Sequence, residues 1–276
     1  MRVQIATLPG SAGRPNEDFA CANQTTAVVV DGLTARTNTG CVHGTGWFAE
    51  QLARGVLRFG RSGPAAALRS AIMHTASLHS DTCDLSDPAT PCAAVGIVQI
   101  GEDGRLRHLV LGDVSIALTA DEVTRVVCDE RVGDTARAQR AEADRLPHGS
   151  DAKSAVLVRM KRIEIEARNR PGGYWVASAD PAAVDHALTG DVPVSELSRV
   201  ALLSDGAARA VDPFRLTDWA GVIELLADGG PAALIARVRA AEQSDQGVTR
   251  WPRNKVSDDA TAVYCDKLHE RECVSH

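Results

Sequence analysis

The sequence predicts an α+β chain built on antiparallel sheet, and three observations lead there. Short apolar runs follow one another across tight turns between Val95 and Val127. Apolar stripes with helical spacing stand on either side of that strand group, and strand–helix–strand alternation, which would build a parallel sheet, does not recur. At 276 residues, with 44% hydrophobic and 24% charged side chains, the chain can bury a full core and has a globular composition. No internal repeat, low-complexity tract or linker stands out, so residues 1–276 are expected to form a single domain.

Val3–Thr7 and Thr26–Val30 read as strands, the second a buried apolar run ending at Asp31-Gly32. A helix is expected from about His43, with Phe48, Leu52, Val56 and Phe59 on one face. Pro64 suits the first turn of a second helix carrying Leu68, Ile72 and Leu78. Asp81–Pro91 is rich in Asp, Ser, Thr and Pro and reads as a loop. Val95–Ile100 and Leu106–Leu111 flank the turn Gly101-Glu102-Asp103-Gly104, and Ser115–Thr119 and Val123–Val127 flank another. From Asp129 to Lys153 the chain turns polar, with arginines on a weakly helical pattern. This stretch is expected to be a solvated helix or loop, with 129–153 forming a mobile flap. Tyr174–Ala177 and Val200–Ser204 read as strands, two helices follow around Trp219–Leu226 and Leu234–Val238, and Asp258–Cys265 reads as the last strand.

A net charge of −6 argues against binding nucleic acid through its phosphate backbone, which needs a basic face. No basic-then-apolar leader and no apolar run near the roughly 20 residues of a membrane span is apparent, so a cytoplasmic, monomeric protein without a membrane partner is expected. Seven scattered cysteines without a C-x-x-C pair read as reduced thiols rather than a disulfide framework or a zinc site.

Four acidic signatures sit where apolar runs meet turns: Asn16-Glu17-Asp18, Asp31-Gly32, Asp205-Gly206 and Asp258-Asp259. Each alone is a turn or a helix cap. Together they are more specific, because Asp31 and Asp205 end apolar strands while Asp258 begins one, and antiparallel neighbours can bring all three to one sheet edge. Crowded carboxylates repel unless a cation neutralises them, and hard divalent ions such as Mg or Mn prefer such oxygen ligands.

The strings Arg14-Pro15-Asn16-Glu17-Asp18, Val30-Asp31-Gly32, Leu111-Gly112-Asp113, Leu203-Ser204-Asp205-Gly206 and Asp258-Asp259-Ala260-Thr261 occur in this order along nearly the whole chain. In that series the sequence resembles the metal-dependent serine/threonine protein phosphatases of type 2C. The resemblance implies an αββα sandwich of two antiparallel sheets flanked by helices, with two divalent metal ions (Mn or Mg) at one sheet edge and a weaker third. It implies that Asp31 bridges the two metals, that Asp205 and Asp258 complete the first, and that the Gly32 carbonyl, Glu17 and Asp18 serve the second. Asp113 resembles the ligand of the third metal, shared with Asp205, and Arg14 the arginine that grips the substrate phosphate through its forked donors.

Three positions depart from the family pattern: Leu33-Thr34-Ala35 follows Asp31-Gly32 in place of a further glycine pair, Arg14 lies one residue closer to the acidic pair, and Val114 follows Asp113 in place of Ser or Thr. His43 is then the candidate general acid. Gly10-Ser11-Ala12-Gly13 lacks the Gly-Lys-Ser/Thr of a nucleotide-binding loop. His74, His79 and Cys83 have helical spacing but no fourth ligand nearby in sequence, so they read as a helix face running into a loop. The resemblance implies hydrolysis of phosphoserine or phosphothreonine in a phosphorylated protein by a water nucleophile. A small phosphorylated metabolite as substrate, or a pseudophosphatase serving as a binding module, are the alternatives.

Overall fold

The computed structural model describes residues 1–34 and 39–269. Ala35, within the segment that departs from the family pattern, and Cys273 lie outside them. Ten strands among the described residues are β1 (Arg2–Leu8), β2 (Phe19–Ala22), β3 (Thr26–Gly32), β4 (Ala93–Ile100), β5 (Arg105–Leu111), β6 (Ser115–Ala120), β7 (Val123–Val127), β8 (Leu188–Pro193), β9 (Arg199–Leu203) and β10 (Ala260–Asp266). They form two antiparallel five-stranded sheets, ordered β1-β10-β9-β6-β7 and β2-β3-β4-β5-β8. Helices α1 (Thr45–Phe59) and α2 (Pro64–Ser77) cover the second sheet. Helices α3 (Arg131–Asp134), α4 (Arg137–Asp144) and α5 (Asp151–Ala167) follow β7, and α6 (Asp205–Ala208) and α7 (Trp219–Ser244) follow β9, with α7 covering the first sheet. This is the αββα sandwich.

Strand alternation sorts the core into three apolar layers. In β3, Val28 and Val30 face α1 and α2, while Ala27 and Val29 face the other sheet. In β9, Val200 and Leu202 point between the sheets and Ala201 and Leu203 point to α7; in β10, Val263 and Cys265 do the former, Ala262 and Tyr264 the latter. Because both faces are covered, these strands read as continuous apolar runs although their pairing is antiparallel.

Helix α7 answers to the two helices expected there, since Gly230 (φ 74°) breaks it before Pro231. Length and composition alone would let 219–244 cross a membrane, contrary to the reading that no segment comes near a span. The kink divides it into pieces shorter than a bilayer needs, and one face of each is buried on the sheet.

One further expectation is corrected. Tyr174–Ala177 is not a strand. Only single bridges join Ala177 to Ala93 and Tyr174 to Arg168, and the Val176 amide donates instead to the Asn169 side chain at 2.9 Å, so no ladder can continue. The polar stretch expected over 129–153 carries helix on to Ala167. Helices α4 and α5 share a small cluster of their own, built from Ala143, Val156, Leu157 and Met160.

Candidate metal centre

Strand register places the acidic side chains. Asp31 pairs with Ala94 near the end of β3, and alternation turns it toward the gap between the sheets. Asp205 follows β9 by one residue beyond Ser204, Asp258 precedes β10, and Asp113 lies in the turn by which the chain crosses from β5 to β6 and so between sheets. Gly32 is required where it stands: a Cβ there would lie 2.4 Å from the Glu17 carbonyl oxygen and 2.5 Å from Thr45. Its missing side chain lets the Asn16–Glu17 segment and the start of α1 close onto the strand end. Asp259 fixes that segment further, accepting hydrogen bonds from the Glu17 and Gly10 amides at 2.7 Å each.

Asp18, Asp31, Asp113, Asp205 and Asp258 line one cavity of about 500 Å³, which Arg140, Lys161 and Glu164 of α4 and α5 also line. Asp31 accepts a hydrogen bond from the Asp205 amide at 3.1 Å. Asp18 is 5% exposed, and its Oδ2 has no hydrogen-bond partner. Burial lifts the Asp18 carboxyl to about 7, with Asp205 and Asp259 adding to the rise and hydroxyls of Ser204 and Thr261 offsetting part of it. Asp113 is likewise raised to about 7 by burial and by Asp205. Asp31 is pushed well above the usual carboxylate range by burial and by its four acidic neighbours, and Asp205 is raised by desolvation and by Asp258. Such mutual repulsion, with an orphaned carboxylate oxygen at its centre, fits a site that holds cations. The donors are all oxygen, which suits hard divalent ions.

No protein-family model and no curated protein matches the sequence. Solved structures do match. The PPM Ser-Thr phosphatase MsPP from Mycobacterium smegmatis, in complex with cacodylate, aligns with TM-score 0.54 at 18% identity over 96% of this chain and 98% of its own. The catalytic domain of the serine/threonine protein phosphatase PstP, in complex with two manganese ions, aligns at 0.53 and 14% over 96% and 97%. PppA, a key regulatory component of T6SS in Pseudomonas aeruginosa, aligns at 0.53 and 13% over 95% and 96%. The chain has the type 2C phosphatase fold.

Within that fold, Arg14 and Glu17 line an adjoining cavity that shares Asp18, Thr34, Lys255, Asp258 and Asp259 with the first. Arg14 is exposed there. His43 lines the same cavity, but its ring stacks on Trp47 at 4.3 Å and its Nδ1 faces the Cys83 and Cys41 sulfurs at 3.4 and 3.9 Å. Glu17 accepts a hydrogen bond from the Thr34 hydroxyl.

The sequence reading missed two cations inside the acidic cluster. Lys255 Nζ donates to Asp258 Oδ1 at 2.6 Å and to the Thr34 hydroxyl at 2.9 Å. Arg209 Nη2 donates to Asp258 Oδ2 at 2.9 Å, and its Nη1 meets Glu242, which is 0% exposed, at 2.8 Å. Both oxygens of Asp258 are thus engaged by side-chain cations. A signal existed for Lys255, one of only four lysines in a chain whose other 26 basic residues are arginine, standing three residues before the acidic pair.

Proposed function

We propose that the protein hydrolyses phosphomonoesters with two divalent cations, Mn or Mg, and that phosphoserine or phosphothreonine in a protein is its substrate. The observation that carries this reading is the convergence of Asp18, Asp31, Asp113, Asp205 and Asp258 on one cavity in a type 2C sandwich. Asp31 would be shared by the two ions, Asp205 and Asp258 would hold one, and Glu17, Asp18 and the Gly32 carbonyl the other, with Asp113 and Asp205 available to a weaker third. Bound cations supply a water nucleophile at neutral pH and neutralise phosphate charge. The chain's own residues do the rest. Asp259 would hold the Glu17–Asp18 segment in place, and Arg14 in the adjoining cavity with Arg140 and Lys161 in the first would supply forked or point-charge donors for the substrate phosphate.

Hydrolysis of p-nitrophenyl phosphate with Mn, abolished by EDTA and by Asp31→Asn or Asp205→Asn, tests the reaction. Activity indifferent to chelation would overturn it. A panel of phosphopeptides and sugar, nucleotide and amino-acid phosphates tests the substrate. A metabolite preferred by about a hundredfold in kcat/KM, roughly 2.7 kcal/mol of transition-state binding, would replace the protein substrate while leaving the chemistry intact.

A second reading, a non-catalytic binding module, draws on one observation. Lys255 places a positive charge within hydrogen-bond reach of Asp258, where a metal ligand is wanted, and Arg209 occupies the other oxygen. Calorimetry with Mn separates the two: no binding supports the module, binding with turnover the enzyme.

A further inference from the structure

A second constellation of ligand-bearing side chains lies outside the acidic cavity. Cys41, His43, His79 and Cys83 bring one sulfur or ring nitrogen each to within 4.8 Å of one another. The Cys41 and Cys83 sulfurs are 3.2 Å apart, Cys41 Sγ is 3.6 Å from His79 Nδ1, and His43 Nδ1 is 3.4 Å from Cys83 Sγ. Zinc bonds of about 2.3 Å to sulfur and 2.0 Å to nitrogen, set tetrahedrally, separate their ligand atoms by roughly 3.3–3.8 Å, so the four already stand close to that arrangement. We propose that Cys41, His43, His79 and Cys83 form a structural zinc site that ties the chain entering α1 to the end of α2.

Several features of the surroundings fit a closed site. The ligands come as C-x-H and H-x-x-x-C pairs, one just before α1 and the other in the turn after α2, and packing of those helices brings them together. His79 is 3% exposed, and Trp47 stacks on His43 and meets His79 edge-on, shielding the cluster on one side. Amides of Val42 and Gly44 hydrogen-bond to the Cys83 and Cys41 sulfurs, a support that metal thiolates commonly receive. Burial opposes ionisation of Cys83, yet hydrogen bonds from Cys41, Thr82, the Val42 amide and His43 bring its thiol down to about 5. Burial and the neighbouring Cys83 hold Cys41 above the ordinary thiol range. Two thiolates and two imidazoles select zinc over Mn or Mg, which prefer oxygen, so this site and the acidic cavity would sort different metals from one solution.

The position gives the site a task. The segment from Leu33 to Gly44 starts at the carboxylate cluster and ends at α1, whose Thr45 presses on Gly32. Asp84 already donates from its amide to the Gly40 carbonyl at 2.9 Å, and zinc would lock the same junction at four further points. Ligation through Nδ1 would also make His43 a structural ligand and remove that nitrogen from proton transfer, against its reading as the general acid.

The test is the metal content of the untagged chain, expressed with zinc and dialysed against Mn. Elemental analysis is expected to show about one zinc per chain, retained in Asp31→Asn, in Cys21→Ser and in Cys128→Ser, and reduced at least tenfold in Cys83→Ser and in His79→Asn. Should those last two variants fail to fold, Co(II) replacement in the wild-type chain still decides: the intense visible bands of a tetrahedral dithiolate site are expected. Zinc below about a tenth per chain without those bands would overturn the proposal. So would an intact mass two daltons low from a Cys41–Cys83 disulfide. Because zinc content is read without turnover, this result stands or falls separately from the phosphatase reading.

Discussion

Replacing Arg209 by leucine tests how the acidic cavity is anchored to the scaffold. Arg209 bridges Glu242 of α7 and Asp258 before β10, and Arg239 holds the other Glu242 oxygen at 2.6 Å. Glu242 is fully buried, so Arg209→Leu leaves a carboxylate with one of its two cations in a low-dielectric setting. Removing one partner of a buried ion pair destabilises by about 3–5 kcal/mol, and the surviving Arg239 contact places this case near 3. For a chain of this size that corresponds to a Tm lower by roughly 6 °C, or a urea midpoint lower by about 1 M at a slope near 3 kcal/mol/M. The measurement is urea unfolding in EDTA, so that metal linkage does not enter. Glu242→Leu is made alone and together with Arg209→Leu. The double variant should recover to within about 1 kcal/mol of the parent, giving a coupling of at least about 1.5 kcal/mol. Additive single effects, with coupling under about 0.5 kcal/mol, would show that Glu242 is adequately solvated and that the bridge does not hold α7 to the site.

Asp31→Asn should abolish Mn binding in calorimetry while raising the stability of the metal-free chain by about 1–2 kcal/mol, because it removes the carboxylate most crowded by its neighbours; a metal-free variant no more stable than the parent would contradict that crowding. Lys255→Met should tighten Mn binding at least about tenfold, near 1.4 kcal/mol, by freeing Asp258 Oδ1 and removing a competing charge; unchanged or weaker binding would show that Lys255 does not compete. The metal-free chain should lose stability as pH rises. Asp18 and Asp113 titrate near 7 when folded but near about 4 when unfolded, so across that window the folded state holds protons that the unfolded state has released. Stability is fully present below about pH 4 to 5 as far as these two groups are concerned and falls through 7; a urea midpoint in EDTA that stays flat from pH 5 to 8 would refute it.

Much of this was legible in the sequence because the strands that carry the site are buried on both faces. Ala27–Val30 and Val200–Leu203 are unbroken apolar runs, the first ending at Asp31 and the second one residue short of Asp205. What was not legible depended on contacts distant in sequence. β2 is four half-buried residues without alternation, and β8 is an edge strand containing Gly190 and Pro193, so neither shows a period. The length of α5 was hidden because its buried face includes Lys153, Lys161 and Glu164, satisfied by partners such as the Arg253 carbonyl and Arg140. His74, His79 and Cys83 read in sequence as a helix face running into a loop, and His74 does turn away from the other two, toward Phe59 and Arg58. The side chains that approach His79 and Cys83, Cys41 and His43, stand 36 to 42 residues earlier and meet them only once α1 packs on α2.

The acidic side chains do not belong to one sheet. Asp31 comes from one, Asp205 and Asp258 from the other, and Asp113 from the crossover between them. Any ion seated among them is therefore a rivet through the seam of the sandwich. Its removal would be felt first as faster amide exchange at the cavity end of β3, β9 and β10, while the opposite ends stay protected. The sandwich would gape like a book held only by its spine, so the same few carboxylates that crowd the cavity would also set how far two halves of a core can part.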